Sequence, residues 1–554
     1  MIRKLQLKLK AILGESNLYF LIYRIVYFIK VSLIIRPNVS RSLKAKNYIP
    51  IVDLNKNKPL VVVPLLEVNH YINFHVLGLA KSFSVRGYNV LVVVCDEYLP
   101  ACEIKSCRTS SKDQACFKCT TNRNFLLGSY GLEVVTLSSL FSAIDDPVSY
   151  GKKVFKEYKI KKSSFKLNID DSVTRHFYGA ESTFDKNEVL NIKSQHEKSA
   201  YISLALGDIL YKKYRPDISL NAMMVYSAWG PLNELFESVG VASITMSMTM
   251  FNFNSIRFNN ADLFRHHRAY ERFLLNRSKL QLTHEESNEL SDFLVKRKTG
   301  NDRLMKEWDY FNDTSVDKLN INSKRKNVFM FTNIPWDQGL NEFSGIFEDV
   351  MDWVYQTVEH FIDHDEIDLW IKPHPIEVRG TSLSSQSVSE FIKTRYPNLP
   401  KNIHLIDAEL GISPYQLFEK IDLGIVLTGT LGLEMALDGL PVVSAGANPC
   451  YGLDFLSEPE SQEAYFKAIT NELNIVRNID SFRLFCYFYF IHQSFSWPLT
   501  KQSFGDDFQS YEFSSPSDLQ KGKMEDLDRI FDEIDSLIED FNIEKKLNNK
   551  KDTL

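Results

Sequence analysis

The sequence predicts an α/β fold in which two domains, each built around a parallel sheet, follow one another along the chain. A chain of 554 residues is too long for one compact core. In both halves, short apolar runs typical of buried strands alternate with helical patterns, which is the order found in parallel α/β sheets. Polar, charge-mixed stretches at residues 140–200 and 265–325 are interpreted as helical connections and an interdomain region.

The first α/β domain is predicted to span residues 59–265. An apolar run at 60–66, a helical pattern from about 71 to 86 and a second apolar run at 89–94 form a strand–helix–strand unit, which implies parallel strands. Gly87 is suited to end the helix, because glycine readily adopts the left-handed conformation found after a helix. Further strands are predicted at 133–137, 217–220 and 241–246, and a further helix at 231–239.

The second α/β domain is predicted to span residues 326–475. It begins with an apolar strand at 328–331, which is followed by a long helix over 343–361. Further strands are predicted at 367–371, 403–406, 423–427 and 440–444. Residues 266–325 are predicted to be a helical connection between the domains, and residues 476–554 to be C-terminal helices and a charged tail.

Composition and charge narrow the classes of function. An apolar content of 44% and a charged content of 24% lie within the ordinary range for globular proteins. A net charge of -5 and a pI near 6.2 provide no argument for nucleic-acid binding, so no nucleic-acid partner is expected.

Residues 1–58 form a basic, apolar N-terminal segment, and Glu15 is the single acid within residues 1–48. Arg24 and Lys30 interrupt its apolar run, and a central Arg or Lys costs about 2.5–3.5 kcal/mol in a membrane-spanning helix. Two interpretations remain open: a helix lying on an anionic membrane face, or a helix packed on the protein's own surface. Because no other segment has the length of a span, we expect a cytoplasmic protein, peripheral on the inner face of the cell membrane under the first interpretation.

The segment Thr428-Gly429-Thr430 lies between a predicted strand and an amphipathic helix. A helix N-terminus presents unpaired N–H groups and the positive end of the helix dipole, so it attracts phosphate. Gly429 allows close approach of the backbone, and Glu434, one turn further on, is suited to accept hydrogen bonds from ribose hydroxyls. The alternative is an ordinary corner between a strand and a helix, with threonine as the N-cap.

The segment Lys372-Pro373-His374-Pro375 also follows a predicted strand. The two prolines restrict the backbone around the histidine and so hold the imidazole in place. Lys372 or His374 could neutralise phosphate charge, and a histidine can protonate a departing phosphate near neutral pH. The alternative is a structural turn that carries a surface histidine.

With these segments, the second half of the sequence resembles the capsule polysaccharide biosynthesis glycosyltransferases of the GT-B fold. The resemblance covers about residues 326–470. The motifs that carry it are Phe331-Thr332-Asn333-Ile334-Pro335-Trp336-Asp337, Ile371-Lys372-Pro373-His374-Pro375, Thr428-Gly429-Thr430-Leu431-Gly432-Leu433-Glu434 and Gly439-Leu440-Pro441-Val442-Val443.

The resemblance implies two Rossmann-like domains facing a cleft, with a nucleotide-sugar donor on the C-terminal domain and a polysaccharide or glycolipid acceptor on the N-terminal domain. In related CMP-sugar transferases a His-Pro motif and a Ser/Thr pair contact the nucleotide phosphate, although serine is frequent where this chain has Thr428. The resemblance also implies no catalytic metal, because helix dipole and side chains take the phosphate charge. The predicted nucleotide-sugar site comprises Asn333, Lys372, His374, Thr428, Gly429, Thr430 and Glu434.

An inverting transfer also needs a base that removes a proton from the acceptor hydroxyl. Glu67 and His70 closely follow the first predicted strand, so they are the candidate catalytic pair together with His374. The alternative is that Glu67 caps the next helix and His70 is an early helical residue. Trp229 is either a platform on which a sugar stacks or a core residue.

Four cysteines, Cys102, Cys107, Cys116 and Cys119, lie in a polar insertion at residues 102–119 that is expected to be an exposed loop. Four thiolates in a short loop suit a tetrahedral structural zinc, and a cytoplasmic location disfavours disulfides. An iron–sulfur cluster and free thiols are the alternatives. Four protein ligands would leave no open position on the metal, so its role would be structural.

The leading prediction is therefore a glycosyltransferase that moves a sugar from a nucleotide-sugar donor to a growing surface polysaccharide or glycolipid. Two alternatives remain. One is another enzyme on the same fold, such as a nucleotide-sugar 2-epimerase or a CDP-glycerol-type phosphotransferase. The other is a non-catalytic scaffold for polysaccharide assembly, which should bind no nucleotide.

Overall fold

A computed structural model of the protein describes residues 21–22, 24–26, 54–55, 57–67, 70–107, 112–248, 255–260, 274, 280–300, 316–337, 345–377, 383–470, 479–502, 509–511, 513 and 515–551. Most of the basic N-terminal segment, and with it the predicted membrane-facing helix, lies outside the described residues. Within the described residues, no helix is both long and apolar enough to cross a membrane.

The strands fall into two larger sheets and one hairpin. In chain order they are β1 (Leu60–Leu65), β2 (Asn89–Val94), β3 (Glu133–Thr136), β4 (Ile218–Asn221), β5 (Ala242–Met248), β6 (Ser255–Asn260), β7 (Lys326–Phe331), β8 (Ile367–Lys372), β9 (Ile403–Leu405), β10 (Leu423–Val426), β11 (Val442–Ser444), β12 (Phe495–Ser496), β13 (Thr500–Gln502) and β14 (Gln509–Tyr511).

The helices connect and cover these strands. They are α1 (His70–Val85), α2 (Lys112–Tyr130), α3 (Leu137–Leu140), α4 (Pro147–Glu157), α5 (Lys162–Phe177), α6 (Lys186–Tyr214), α7 (Gly230–Ser238), α8 (His284–Lys298), α9 (Val350–Ile362), α10 (Val388–Arg395), α11 (Thr430–Leu437), α12 (Gln462–Thr470), α13 (Ile479–Tyr487) and α14 (Glu525–Lys551).

The first sheet has the order β12-β6-β5-β4-β1-β2-β3 among the described strands. Strands β1 to β5 run parallel to one another, while β6 and β12 are antiparallel additions at one edge. All residues of β1 are buried, as expected for a parallel strand that helices cover on both faces. The direction in which strands are added reverses between β1 and β4, so the loops after these two strands diverge.

The second sheet repeats this arrangement. Its order is β11-β10-β7-β8-β9, and its described strand pairs are all parallel. Here the direction reverses between β7 and β10. The two Rossmann-like α/β domains that the sequence predicts are therefore confirmed. Several elements begin or end a few residues from their predicted positions: the predicted helix over 343–361, for example, begins at Val350 in its described part.

Two helices that the sequence places outside the domains belong to their cores. Leu527, Ile530 and Phe531 of α14 pack in the same core cluster as β1 and α1, so the end of the chain returns to the first domain. The ion pair between Arg86 and Asp528, 2.6 Å apart, supports this return. Helix α8, predicted as part of the connection, contributes Leu290 to the core of the second domain.

The two domains contact each other directly near the end of α5. The backbone N–H of Ser385 donates to the carbonyl of Tyr178 at 2.8 Å. A short distance further along the chain, the Ser182 hydroxyl donates to the Asp349 carboxylate, also at 2.8 Å. These bonds fix the segment before α10 and the start of α9 against the first domain.

Candidate active site

The loops after β7 and β10 are bonded to each other where the order of the second sheet reverses. The Asn333 side chain donates through Nδ2 to the carbonyl of Thr428 at 3.3 Å, and its Oδ1 accepts from the Thr428 N–H at 3.4 Å. In open α/β sheets, ligands bind in the crevice at this point. Asn333 and Thr428, both predicted as site residues, are therefore brought together at the expected place.

Gly429 has an unusual backbone conformation at the point where the loop after β10 enters α11. Its backbone has φ 111° and ψ 178°, a region that is essentially restricted to glycine, and it is the N-cap of α11. Glycine has no side chain that could cap the first turn, so Thr430 and the following residues begin the helix without such a cap. A helix N-terminus without a side-chain cap suits a phosphate group, and phosphate binding here stays a prediction. The alternative of a threonine N-cap is not what the structure shows.

The His-Pro turn lies beside this crevice, because β8 is the neighbour of β7. Lys372 is the last residue of β8 and is 5% exposed. The Nδ1 atom of His374 accepts from the Ile376 N–H at 3.3 Å, which places the proton of a neutral ring on Nε2. Burial, and to a smaller extent the charge of Lys372, lowers the pKa of His374 to about 3. His374 is therefore a neutral hydrogen-bond donor at pH 7, and a bound phosphate would raise its pKa.

Glu377 is buried and stabilises the His-Pro turn through hydrogen bonds. Its N–H donates to the carbonyl of His374 at 3.1 Å, and its Oε2 accepts from the Val388 N–H at 2.7 Å. Burial raises the pKa of Glu377 to about 8. The carboxyl is therefore mainly protonated near neutral pH, and it ties the turn to the start of α10.

Glu434, predicted to bind ribose, is held inside the domain. It is 1% exposed, its Oε1 lies 3.2 Å from Arg297 Nη2, and its Oε2 accepts from the Tyr415 hydroxyl. Arg297 belongs to α8, so this cluster fastens α8 to α11. Contact of Glu434 with a ribose stays a prediction; what the structure shows is an anchoring role for the carboxylate.

Glu67 follows β1, at the point where the order of the first sheet reverses. It is 5% exposed, and burial, together with the adjacent carboxyl of Glu103, raises the pKa of Glu67 well above its ordinary value, while Arg175 opposes this shift. Burial also raises the pKa of Glu103, whose Oε1 accepts from the Ser172 hydroxyl at 2.9 Å. A carboxyl with a raised pKa suits proton transfer near neutral pH. His70 begins α1, but its side chain lies outside the described part of the structure.

Arg175 is close to the acidic pair, Glu67 and Glu103, and also contacts the second domain. Its guanidinium lies 4.7 Å from the ring centroid of Trp336, in the loop that also carries Asn333. The Trp336 indole in turn donates to the Ser384 hydroxyl at 2.9 Å. Sequence reasoning missed Arg175 and Glu103. Arg175 lies in a polar helical segment and Glu103 lies within the cysteine insertion, so neither follows a predicted strand that would have marked it as a site residue.

The structure decides between the two alternatives for Trp229 and corrects the expectation for the cysteine insertion. Trp229 is 1% exposed and its Nε1 donates to the carbonyl of Pro64 at 3.4 Å, so it is a core residue and not a sugar platform. The cysteine insertion is not an exposed loop throughout. Cys102 and Cys116 are buried, and Cys116 and Cys119 lie on α2.

Cys107, unlike Cys102 and Cys116, is exposed. The Cys107 thiol donates to the carbonyl of Phe177 at 3.4 Å and lies 3.9 Å from the Ser385 hydroxyl, at the domain boundary. Among the residues that the structure describes, no group of three or more His, Cys, Asp or Glu side chains is placed to hold a metal. The predicted structural zinc therefore finds no support in this part of the chain.

Comparison with known families bears on the second domain. Residues 282–472 match the family model described as "Capsule polysaccharide biosynthesis protein". The resemblance that the motifs indicate is thereby confirmed, and this part of the chain carries the domain of that family. The match begins just before α8, which agrees with the packing of α8 in the core of the second domain. A search of curated proteins finds no significant relative.

Similar solved structures are distant. The beta Kdo 2,4 transferase KpsC from Thermosulfurimonas dismutans is 10% identical, with a TM-score of 0.33, over 55% of this chain and 88% of that one. The beta Kdo 2,7 transferase KpsC from the same organism is 14% identical, with a TM-score of 0.30, over 61% and 96%. The UDP-GlcNAc 2-epimerase from Neisseria meningitidis is 10% identical, with a TM-score of 0.21, over 79% and 99%. Likenesses this distant carry no argument about activity.

Replacing Gly429 by alanine should strain the backbone at the start of α11. An alanine at φ 111° and ψ 178° costs about 1–3 kcal/mol of stability, and relief of that strain would move the loop after β10. We expect nucleotide binding, measured by isothermal titration with CMP and UDP, to weaken at least about tenfold, or about 1.4 kcal/mol. Gly522→Ala is the matched control, because Gly522 also has a positive φ, of 82°, and lies outside the site. Equal nucleotide affinities in the two variants would contradict this role of Gly429.

Glu377 should make the stability of the protein depend on pH. Its folded pKa of about 8 lies above the ordinary value of 4.5, so the native state holds the extra proton between these values. The stabilisation is complete below about pH 4.5 and is lost as the pH rises towards about 8. Glu377→Gln stays neutral, so in urea unfolding its stability relative to the wild type should increase from pH 5 to pH 8. Glu463→Gln, on an exposed residue of α12, should follow the wild type; parallel curves for all three proteins would refute the prediction.

Proposed function

We propose that the protein is a glycosyltransferase that moves a sugar from a nucleotide-sugar donor to a growing surface polysaccharide or glycolipid. The observation that carries the proposal is the crevice between β7 and β10. The N-terminus of α11, which has no side-chain cap, and the His-Pro turn both border it. Arg175 and Trp336 link it to the acidic pair of the first domain, Glu67 and Glu103. The family match of residues 282–472 supports a role in capsule polysaccharide synthesis.

In this proposal the second domain holds the donor. The N-terminus of α11 and the neutral ring of His374 donate hydrogen bonds to the phosphate, and Lys372 supplies positive charge. These groups meet the charge that develops on the departing phosphate, so the mechanism requires no catalytic metal. A CMP-linked donor is proposed because the His-Pro motif and the Thr428/Thr430 pair match the phosphate contacts of related CMP-sugar transferases.

The first domain supplies the proton acceptor. In an inverting transfer, the acceptor oxygen forms a bond to the anomeric carbon while the bond from that carbon to the phosphate oxygen breaks. The acceptor proton passes to Glu67, and the electron pair of the broken bond stays on the nucleotide phosphate. Burial, and after it the adjacent carboxyl of Glu103, raises the pKa of Glu67 and so strengthens its hold on the proton it receives.

Nucleotide binding can be measured by thermal shift with CMP, UDP, GDP and CDP on the full chain. A nucleotide present at 100 times its Kd should stabilise the native state by about 2.7 kcal/mol. We expect the largest shift with CMP or CDP and a loss of about tenfold in affinity, about 1.4 kcal/mol, in His374→Ala. His284→Ala changes an exposed histidine of the same domain and should leave the shift intact. If no nucleotide shifts the wild type, the donor site, and with it the proposed function, fails.

Glu67→Gln should separate binding from chemistry. The amide keeps the size of the side chain but cannot take the acceptor proton, so transfer should fall by about 10²–10⁴-fold. Release of CMP from a CMP-sugar in the presence of capsule oligosaccharides measures the rate, and isothermal titration measures donor binding, which should stay as in the wild type. Transfer at the wild-type rate in Glu67→Gln would exclude Glu67 as the base.

A further inference from the structure

Arg175 is held by aromatic rings from both domains. It lies in the last turn of α5, with its guanidinium carbon 4.7 Å from the ring centroid of Tyr178 and 4.7 Å from that of Trp336. The two rings contact each other edge to face, with centroids 4.9 Å apart. Since Tyr178 belongs to the first domain and Trp336 to the second, the cation is positioned at the boundary between them. Cation–π contacts of this kind orient a guanidinium without using its N–H groups.

In the part of the chain that the structure describes, no carboxylate lies within bonding distance of the N–H groups of Arg175, although Glu67 and Asp337 act on its charge from further away. In that part, its guanidinium makes neither a salt bridge nor a hydrogen bond, although it is half-buried. Two other arginines with little exposed surface do form salt bridges: Arg86 lies 2.6 Å from Asp528, and Arg297 lies 3.2 Å from Glu434. A guanidinium has five N–H donors in a planar arrangement that fits carboxylate and phosphate oxygens. Keeping such a cation partly desolvated without an ion pair is costly unless a ligand supplies the anion.

The surroundings of Arg175 place this unused donor set inside the candidate active site. Glu67 and Asp337 are close enough to act on its charge, and they follow β1 and β7, the strands at which the two sheets reverse their order. Arg175 therefore lies between the proposed proton acceptor and the loop that carries Asn333. Groups from both proposed halves of the active site therefore surround Arg175.

We propose that Arg175 is an anion-binding residue of the active site, which takes a carboxylate or phosphate group of the bound ligand through a bidentate guanidinium contact. The location in the active site rests on the proposed function, whereas the contact itself depends on the chemistry of Arg175. Two sources could provide the anionic oxygens: the phosphate of the nucleotide, or a carboxylate on the sugar. The first would make Arg175 part of donor binding in general, and the second would make it a determinant of sugar specificity.

The experiment compares the full-length wild type with Arg175→Gln and Arg175→Lys. Binding is measured by isothermal titration with sodium D-glucuronate, D-glucose, inorganic phosphate and CMP at matched ionic strength. Glucuronate and glucose share a ring and differ in the carboxylate. The control is Arg395→Gln, because Arg395 also stacks on a tyrosine, Tyr355, at 4.2 Å, but on the second domain alone.

We expect Arg175→Gln to lose about 10- to 100-fold in affinity for the anion that the site uses, which is the range for a charge-assisted hydrogen-bonded contact. Arg175→Lys should lose less, because it keeps the charge but not the planar donor set. Arg395→Gln should bind as the wild type does. A loss confined to glucuronate identifies the sugar carboxylate, and a loss for phosphate and CMP identifies the nucleotide phosphate.

Wild-type affinities of Arg175→Gln for glucuronate, phosphate and CMP would overturn the proposal. The proposed function can fail separately, because absence of CMP binding in the wild type leaves the glucuronate and phosphate measurements informative. The melting temperature of each variant without ligand controls for folding. If Arg175→Gln does not fold, the smaller loss of affinity expected for Arg175→Lys provides the test, because lysine keeps the charge but not the planar donor set, and wild-type affinities of Arg175→Lys would then overturn the proposal.

Discussion

The reversal of strand order in each sheet is the constraint on which the rest of the site depends. After β1 the chain continues to one side of the first sheet, and after its neighbour β4 it continues to the other side. The same holds for β7 and β10 in the second sheet. The loops that follow two such neighbouring strands therefore separate and leave a crevice between them. In the second domain, Asn333 spans this crevice. Its side chain donates to the carbonyl of Thr428 and accepts from the Thr428 N–H. Gly429, with its positive φ, and the start of α11 lie in the loop that borders this crevice.

Burial then sets the protonation of the groups around the crevice in opposite directions. It lowers the pKa of His374, so the imidazole stays neutral, and it raises the pKa values of Glu67 and Glu103, so these carboxyls hold protons more readily. Two kinds of titratable group with displaced pKa values suit a division of work, with one hydrogen-bonding the leaving group and the other accepting a proton. The low polarity of the interior is the common cause.

The path of the C-terminal chain relates the two domains. After the second domain the chain returns through β12, which pairs with β6, and ends in α14, which packs on the core of the first domain. The hydrogen bond between Ser385 and Tyr178 lies one turn from Arg175 along the chain, and Ser384, next to Ser385, accepts from Trp336. The residues that align the domains are thus neighbours of those expected to meet the ligand.

Sequence alone determined the parts of this protein that depend on local order. Buried parallel strands such as β1 and β8 are continuous apolar runs, and the glycine and proline segments that follow β8 and β10 mark the crevice without any long-range information. Contacts between distant segments were decided only by the tertiary structure. Packing places Glu103 beside Glu67, encloses Glu434 between Arg297 and Tyr415, buries Trp229 and turns Cys107 towards Ser385. The physical reason is that burial and partner choice belong to the folded chain, and no short segment contains them.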